Sequence, residues 1–187
     1  YKRQANNATA ALQLMAAMDS NDTSGDTAAF TAFDNALKAQ GGEVLVTKMP
    51  VVRILDLAKA MIELLAPKYG FDVKDGVAGI ETAFTASYGS GRPIIGILGE
   101  FDANAGISQK RQPTREARVP GGAGHGCGHN LFGTASLAAA VAIKEQIQKG
   151  DLKGTVVFFG TPAEETIFAK VWMAREGLFD DLDVCMD

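Results

Sequence analysis

An alternation of short apolar runs with helical patterns through the second half of the chain limits the fold more than any other feature. Ile94 to Leu98, Thr155 to Phe159 and Leu182 to Cys185 read as strands, and helical periodicity covers about Leu131 to Gln148 and about Phe168 to Glu176. Strand, helix, strand, helix, strand predicts an α/β domain: a mostly parallel sheet with flanking helices and right-handed crossovers. An additional antiparallel hairpin is expected where Ala83 to Tyr88 turns through Gly89-Ser90-Gly91 into Ile94 to Leu98.

Residues 1–50 differ in texture, being rich in Ala, Asn, Asp and Thr. Helical periodicity in Ala10 to Met18 and Thr27 to Ala39 is separated by the polar stretch Asp19 to Asp26. Gly41-Gly42 ends the second helix, Glu43 to Val46 reads as a short strand, and Pro50 opens a helix to about Leu65. The chain therefore divides into a helical amino-terminal segment (1–50) without chemistry-bearing residues and an α/β domain (51–187).

With 187 residues, 47% of them hydrophobic, a sizeable core can form. The formal charge of −4, with lysines and arginines scattered, provides no footprint for nucleic acid or an anionic membrane, so the expected partner is a small molecule. No apolar run reaches the roughly 20 residues of a membrane span, and no signal pattern opens the chain; a soluble, cytoplasmic protein is expected. The two cysteines, Cys127 and Cys185, fit a reduced setting, with Cys185 read as a small core residue. Met173 and Trp172 read as packing residues.

The chemistry concentrates in His125-Gly126-Cys127-Gly128-His129, which holds both histidines of the chain, and in the adjacent carboxylates Glu164-Glu165. Imidazole, thiolate and carboxylate are the donors a transition metal such as zinc requires, and a second carboxylate beside them could act on water. Ligands of open parallel sheets gather beyond the carboxyl ends of strands. Glu100 and Asp102 follow one strand, Glu164 and Glu165 another, and Cys127 and His129 precede the long helix, so all fall on one sheet edge. The helix N-terminus is expected to favour thiolate at Cys127, and Gly124, Gly126 and Gly128 to keep the loop thin. Ordinary explanations stand beside these: single histidines are usually structural, and paired glutamates usually solvated. Cys127 could also be a nucleophile with His125 or His129 as its base, or part of a structural zinc site, although only three ligands are in view.

Three stretches carry a resemblance: Gly99-Glu100-Phe101-Asp102; Gly124 to Asn130 running on into Leu131-Phe132-Gly133-Thr134-Ala135; and Gly160-Thr161-Pro162-Ala163-Glu164-Glu165. They resemble the metallo-amidohydrolases that include aminoacylases and indole-acetyl-amino-acid hydrolases. Asn130, where most members have aspartate, resembles the aminobenzoyl-glutamate branch. The resemblance implies the first half of a zinc-peptidase-like catalytic domain that hydrolyses the amide of an N-acyl or N-aroyl amino acid. It implies Cys127, His129 and Glu165 as metal ligands, Glu164 as the general base that activates water, and Asp102 as a supporting carboxylate. His125, Glu100 and Asn130 are then candidates to stand behind the ligands or face the substrate. Two ions, manganese or zinc, and a homodimer as the candidate full-length assembly follow by the same resemblance.

Family members supply another histidine ligand just after the strand that here ends in Val184-Cys185-Met186-Asp187, then a lid or dimerisation domain, then a last histidine. None of these is in this sequence, and Thr166 to Lys170 reads Thr-Ile-Phe-Ala-Lys where relatives are glycine-rich. The chain accordingly reads as the amino-terminal portion of such an enzyme. The alternative is a catalytically incomplete member that binds metal or a partner chain without turnover.

Overall fold

The computed structural model describes residues 54–187. The expected helices and strand within residues 1–50, and the start of the helix expected at Pro50, lie outside the described residues. Helix α1 (Ile54–Glu63) widens into a π-helical turn, Leu64–Lys68, at Pro67, whose ring nitrogen has no hydrogen to donate to an α-helical bond. Leu57, Ala58, Met61 and Leu65 form its buried stripe.

Five strands form one sheet in the order β1-β2-β4-β3-β5. They are β1 (Asp72–Asp75), β2 (Phe84–Ser90), β3 (Ile94–Glu100), β4 (Gly154–Thr161) and β5 (Val184–Met186), with α2 (His129–Lys149) between β3 and β4 and α3 (Ala169–Arg175) between β4 and β5. Strands β3, β4 and β5 are parallel, as the alternating pattern predicts, and β2 runs antiparallel to β4.

The hairpin is made from other strands than expected. β2 and β3 are not paired, because β4 lies between them. The backbone of the intervening turn bonds to β4 instead: Thr155 donates its N–H to the Pro93 carbonyl at 2.9 Å and its hydroxyl to that of Gly91 at 2.8 Å. The antiparallel hairpin is β1 with β2, in the register Val73↔Ala86. β1 reads Asp-Val-Lys-Asp and buries little, so it lacks the apolar alternation that marks a strand in sequence.

Successive side chains point to opposite faces of a strand, and both faces here are covered. Phe84, Ile97 and Phe158 join Leu57, Met61, Leu65, Leu137 and Val141 beneath α1 and α2. Their neighbours Ala83, Leu98 and Phe159 turn the other way, onto Met173 of α3 with Phe179 and Leu182. Phe84 sits between Phe101 and Phe158, ring centroids 6.3 and 5.7 Å away, and each such buried ring contributes about 2 kcal/mol. Of the two residues read as core or interface packing, Met173 lies in the core, while Trp172 is exposed and donates its indole N–H to the Ile167 carbonyl at 3.0 Å.

Cys185 is exposed, contrary to the core position expected of it. β5 is the outermost strand beyond β3, and no other described strand pairs with it. Among the described residues no helix is long and apolar enough to cross a membrane.

The sheet is what brings the chemistry together. The register Glu100↔Thr161 ends β3 and β4 side by side, so the loops leaving them start from adjacent points. α2 is drawn hard onto that edge: a Cβ on Gly133 would lie 2.3 Å from the Glu100 carbonyl oxygen, so only glycine admits the approach. His129, one turn earlier, consequently faces Glu100.

Candidate metal centre

Gly128 starts α2 with φ of 79°, a left-handed conformation that costs glycine nothing, and so redirects the chain from the loop into the helix. The loop is tied down at Asn104, which exchanges both backbone hydrogen bonds with Gly124 at 3.0 and 2.9 Å. Gly124 is needed for close approach, since a Cβ there would lie 2.6 Å from the Ile107 carbonyl oxygen.

His129 is buried at the centre of the cluster. Its Nδ1 lies 3.1 Å from Asp102 Oδ1 and 3.2 Å from the Asp102 carbonyl oxygen. Both are acceptors, so Nδ1 carries the hydrogen and Nε2 is the nitrogen turned towards the site. Nε2 faces Glu100 Oε2 at 2.9 Å, Glu164 Oε2 at 3.8 Å and Glu165 Oε1 at 4.0 Å. The other Asp102 oxygen, Oδ2, accepts the backbone N–H of Glu165 at 3.1 Å. One carboxylate thus orients both the imidazole and the segment that carries the glutamate pair.

That segment is a tight loop. Ala163 and Phe168 both have positive φ, 58° and 56°, which is unfavourable for residues with a Cβ. Between them, the Ala163 carbonyl accepts the N–H groups of Ile167 and Phe168 at 3.1 and 3.0 Å. Strained backbone of this kind persists where surrounding structure overdetermines it, and here it presents Glu164 and Glu165 side by side.

Donor atoms of Cys127, His129 and Glu165 lie within 4.8 Å of one another, as do those of Glu100, His129 and Glu164. Atoms each about 2.1 Å from one ion stand about 3.4 Å apart in a tetrahedron, so either grouping needs only small adjustments to hold one. A second observation fits a cation. Glu165 Oε1 is buried with no hydrogen-bond partner among the described residues, a costly state that a cation beside the carboxylate would relieve. The mixed thiol, imidazole and carboxylate donor set suits a borderline-soft ion.

The surroundings of Cys127 work against the thiolate expected there. The Glu165 carboxylate accepts the thiol hydrogen and holds the Cys127 pKa above its ordinary value, with partial desolvation and the charges of Glu165 and Glu164 adding to it. A full negative charge in contact outweighs the partial charge of a helix end. Glu165 shows the converse: hydrogen bonds from Cys127 and then Asn104 hold its pKa low. A thiol facing carboxylates lacks the electropositive surroundings that activate a nucleophile, which weighs against the thiol-hydrolase alternative.

His125 is half-buried in the loop, its carbonyl accepting the Gly128 N–H at 3.2 Å, and it belongs to neither donor grouping. Asn130 is buried in the first turn of α2, where its carbonyl accepts the Thr134 hydroxyl at 2.8 Å. Two further residues join the site without standing out in the sequence. Asn104 bonds the Glu165 carboxylate, and Lys170 of α3 contacts Glu100 directly. The only signal for Lys170 in the sequence is its place in a segment that departs from the glycine-rich pattern.

Fold and site together define a class: an α/β domain with imidazole, thiol and carboxylates converging beyond the carboxyl ends of its parallel strands. Residues 96–186 match the model of the Peptidase family M20/M25/M40. It is 50% identical over 120 residues to one of the subunits of p-aminobenzoyl-glutamate hydrolase from Escherichia coli (strain K12), a match covering 63% of this chain and 24% of that protein. Human (Homo sapiens) Xaa-Arg dipeptidase is 35% identical over 97 residues, 50% of this chain and 19% of its own length. The crystal structure of the Bacillus subtilis YXEP protein, a dinuclear metal binding peptidase from the M20 family, superposes with a TM-score of 0.58 at 21% identity, over 71% of this chain and 36% of that one. The chain spans about a quarter or less of the length of these curated relatives.

Proposed function

We propose that this chain contributes a cation-binding half-site and general base to a metal-dependent amidohydrolase acting on an N-acyl or N-aroyl amino acid of the aminobenzoyl-glutamate type. The observation that carries this is the convergence of Cys127, His129 and Glu165 within 4.8 Å, around a Glu165 oxygen that has no hydrogen-bond partner among the described residues. The 50% identity to a protein named for p-aminobenzoyl-glutamate hydrolysis supports the substrate class.

In this reading Cys127, as thiolate, His129 through Nε2, and Glu165 would hold the ion. A divalent cation there supplies Lewis acidity, polarising an amide carbonyl and lowering the pKa of water. Asp102 keeps the imidazole in the tautomer that leaves Nε2 free to ligate. Glu164, with its carboxylate 3.8 Å from Nε2 and about one-third exposed, takes a proton from the attacking water and returns it to the departing amine nitrogen. The C–O bond forms first, and the C–N bond breaks once the nitrogen has received the proton from Glu164, giving a carboxylate and a free amino acid.

A thiol ligand supports zinc, with manganese the second candidate, and the Bacillus subtilis neighbour, described as a dinuclear metal binding peptidase, supports two ions. The Escherichia coli relative is named as a subunit of its hydrolase, which supports assembly with a further chain. Two free thiols support a reducing, cytoplasmic setting.

The test is release of glutamate from aminobenzoyl-glutamate by the protein loaded with zinc or manganese, alongside Glu164→Gln. Turnover lost with cation binding retained is the expected result for the variant. Unchanged turnover in Glu164→Gln overturns the assignment of the base, and cation binding without turnover in the unaltered protein favours a catalytically incomplete member.

A further inference from the structure

His129 Nε2 is common to both groupings of donor atoms, Cys127/His129/Glu165 and Glu100/His129/Glu164. One imidazole nitrogen has a single lone pair and serves a single ion, so the two sets compete. On distance alone Glu100 competes on equal terms, since 2.9 Å from Nε2 and the 4.0 Å of Glu165 fall either side of the roughly 3.4 Å that two ligands of one ion require.

Something must therefore hold Glu100 back. Lys170 is the residue in place to do so. Its ammonium contacts Glu100 Oε1 directly, and Asp187 beyond the end of β5 lies 3.5 Å from the same nitrogen. The Glu100 side chain is 12% exposed and that of Lys170 29% exposed, so the pair is partly shielded from screening by water. An ion placed on Glu100 would meet the ammonium charge at close range, whereas the groups that act on Cys127 and Glu165 are each other, Asn104, Glu164 and His129.

We propose that Lys170 is a positioning residue that selects between the two ligand sets: by pairing with Glu100 it keeps that carboxylate from coordinating and leaves His129 to Cys127 and Glu165. The inference rests on the ligand reading above and adds to it a residue from α3. It also gives the Thr166 to Lys170 departure a purpose, since the segment delivers a lysine beside the ligands.

Cobalt(II) titration of the chain separates the two claims, because a thiolate ligand produces a charge-transfer band in the near ultraviolet. The unaltered protein and Lys170→Arg are expected to show the band. Lys170→Met is expected to lose at least half of it and to bind cobalt roughly tenfold more weakly, in line with residues that orient metal ligands. Adding Glu100→Gln to Lys170→Met removes the competitor and restores the band.

A full-strength band with unchanged affinity in Lys170→Met overturns the inference, as does a double variant that fails to recover. Glu100→Gln alone provides a check that does not depend on the folding of Lys170→Met. It should keep the band, and its loss would show Glu100 to be a required ligand. If the unaltered protein shows no band, or Cys127→Ser retains it, the ligand reading itself fails and the selection by Lys170 falls with it.

Discussion

Asp102 accepts the Nδ1 hydrogen of His129 through Oδ1 at 3.1 Å, and its other oxygen accepts the backbone N–H of Glu165 at 3.1 Å. Two residues far apart in the chain are thereby oriented by one side chain, which is itself buried. The geometry needs an acceptor at both positions.

Asp102→Asn supplies only one acceptor. Its NH2 group must face either the imidazole N–H or the Glu165 N–H, donor against donor, so one of the two ligands loses its orientation. Zinc or manganese affinity, measured by calorimetry, should fall about 10- to 100-fold. Unfolding in urea should show a loss of about 1–3 kcal/mol from the mispaired buried group.

Cys127 makes cation uptake sensitive to pH. Glu165 holds the thiol pKa above its ordinary value, so the thiol is protonated at neutral pH and must lose that proton to ligate. Binding at neutral pH should release about one proton from this residue, and affinity should rise about tenfold per pH unit while the thiol stays protonated in the free chain. Calorimetry in buffers of different ionisation enthalpy measures the release, and Cys127→Ser should abolish that contribution.

Asp183 anchors the outer strand. Its Oδ2 accepts the Ile94 N–H at 2.7 Å and its Oδ1 contacts Arg92. The Ile94 N–H holds the carboxyl below the usual aspartate range, opposed by desolvation and aided by the Arg92 guanidinium. A depressed folded-state pKa stabilises the chain above the unfolded-state value, about 3.9, and that contribution disappears as pH falls through the folded value. Asp183→Asn should be less stable than the unaltered protein at pH 7, and the two should converge below about pH 3 in thermal unfolding.

Phe158 sits fully buried in the aromatic group under α2, and its ring end would lie 2.5 Å from a Cβ at Gly99. Phe158→Ala should cost about 3–5 kcal/mol in denaturant unfolding. Gly99→Ala should destabilise as well, by overpacking of about 1–3 kcal/mol.

Much of the architecture is readable from local pattern. Apolar alternation and helical periodicity are properties of consecutive residues, which is why β3, α2, β4, α3 and β5 can be placed within a few positions of their observed ends. The same holds for the candidate ligands, because the rule that strands deliver function at their carboxyl ends needs only the order of elements. The polar edge strand β1 carries no such pattern, and the hydrogen bonds that insert β4 between β2 and β3 join segments about 60 residues apart.

Charge and protonation at the site are likewise settled only by the folded chain. Whether Cys127 is thiol or thiolate depends on Glu165, which the folded loops place against it. Lys170 reaches Glu100 across 70 positions of sequence. Neither contact leaves a trace in residue spacing, since electrostatic energy depends on distance in space and on burial, which packing alone decides.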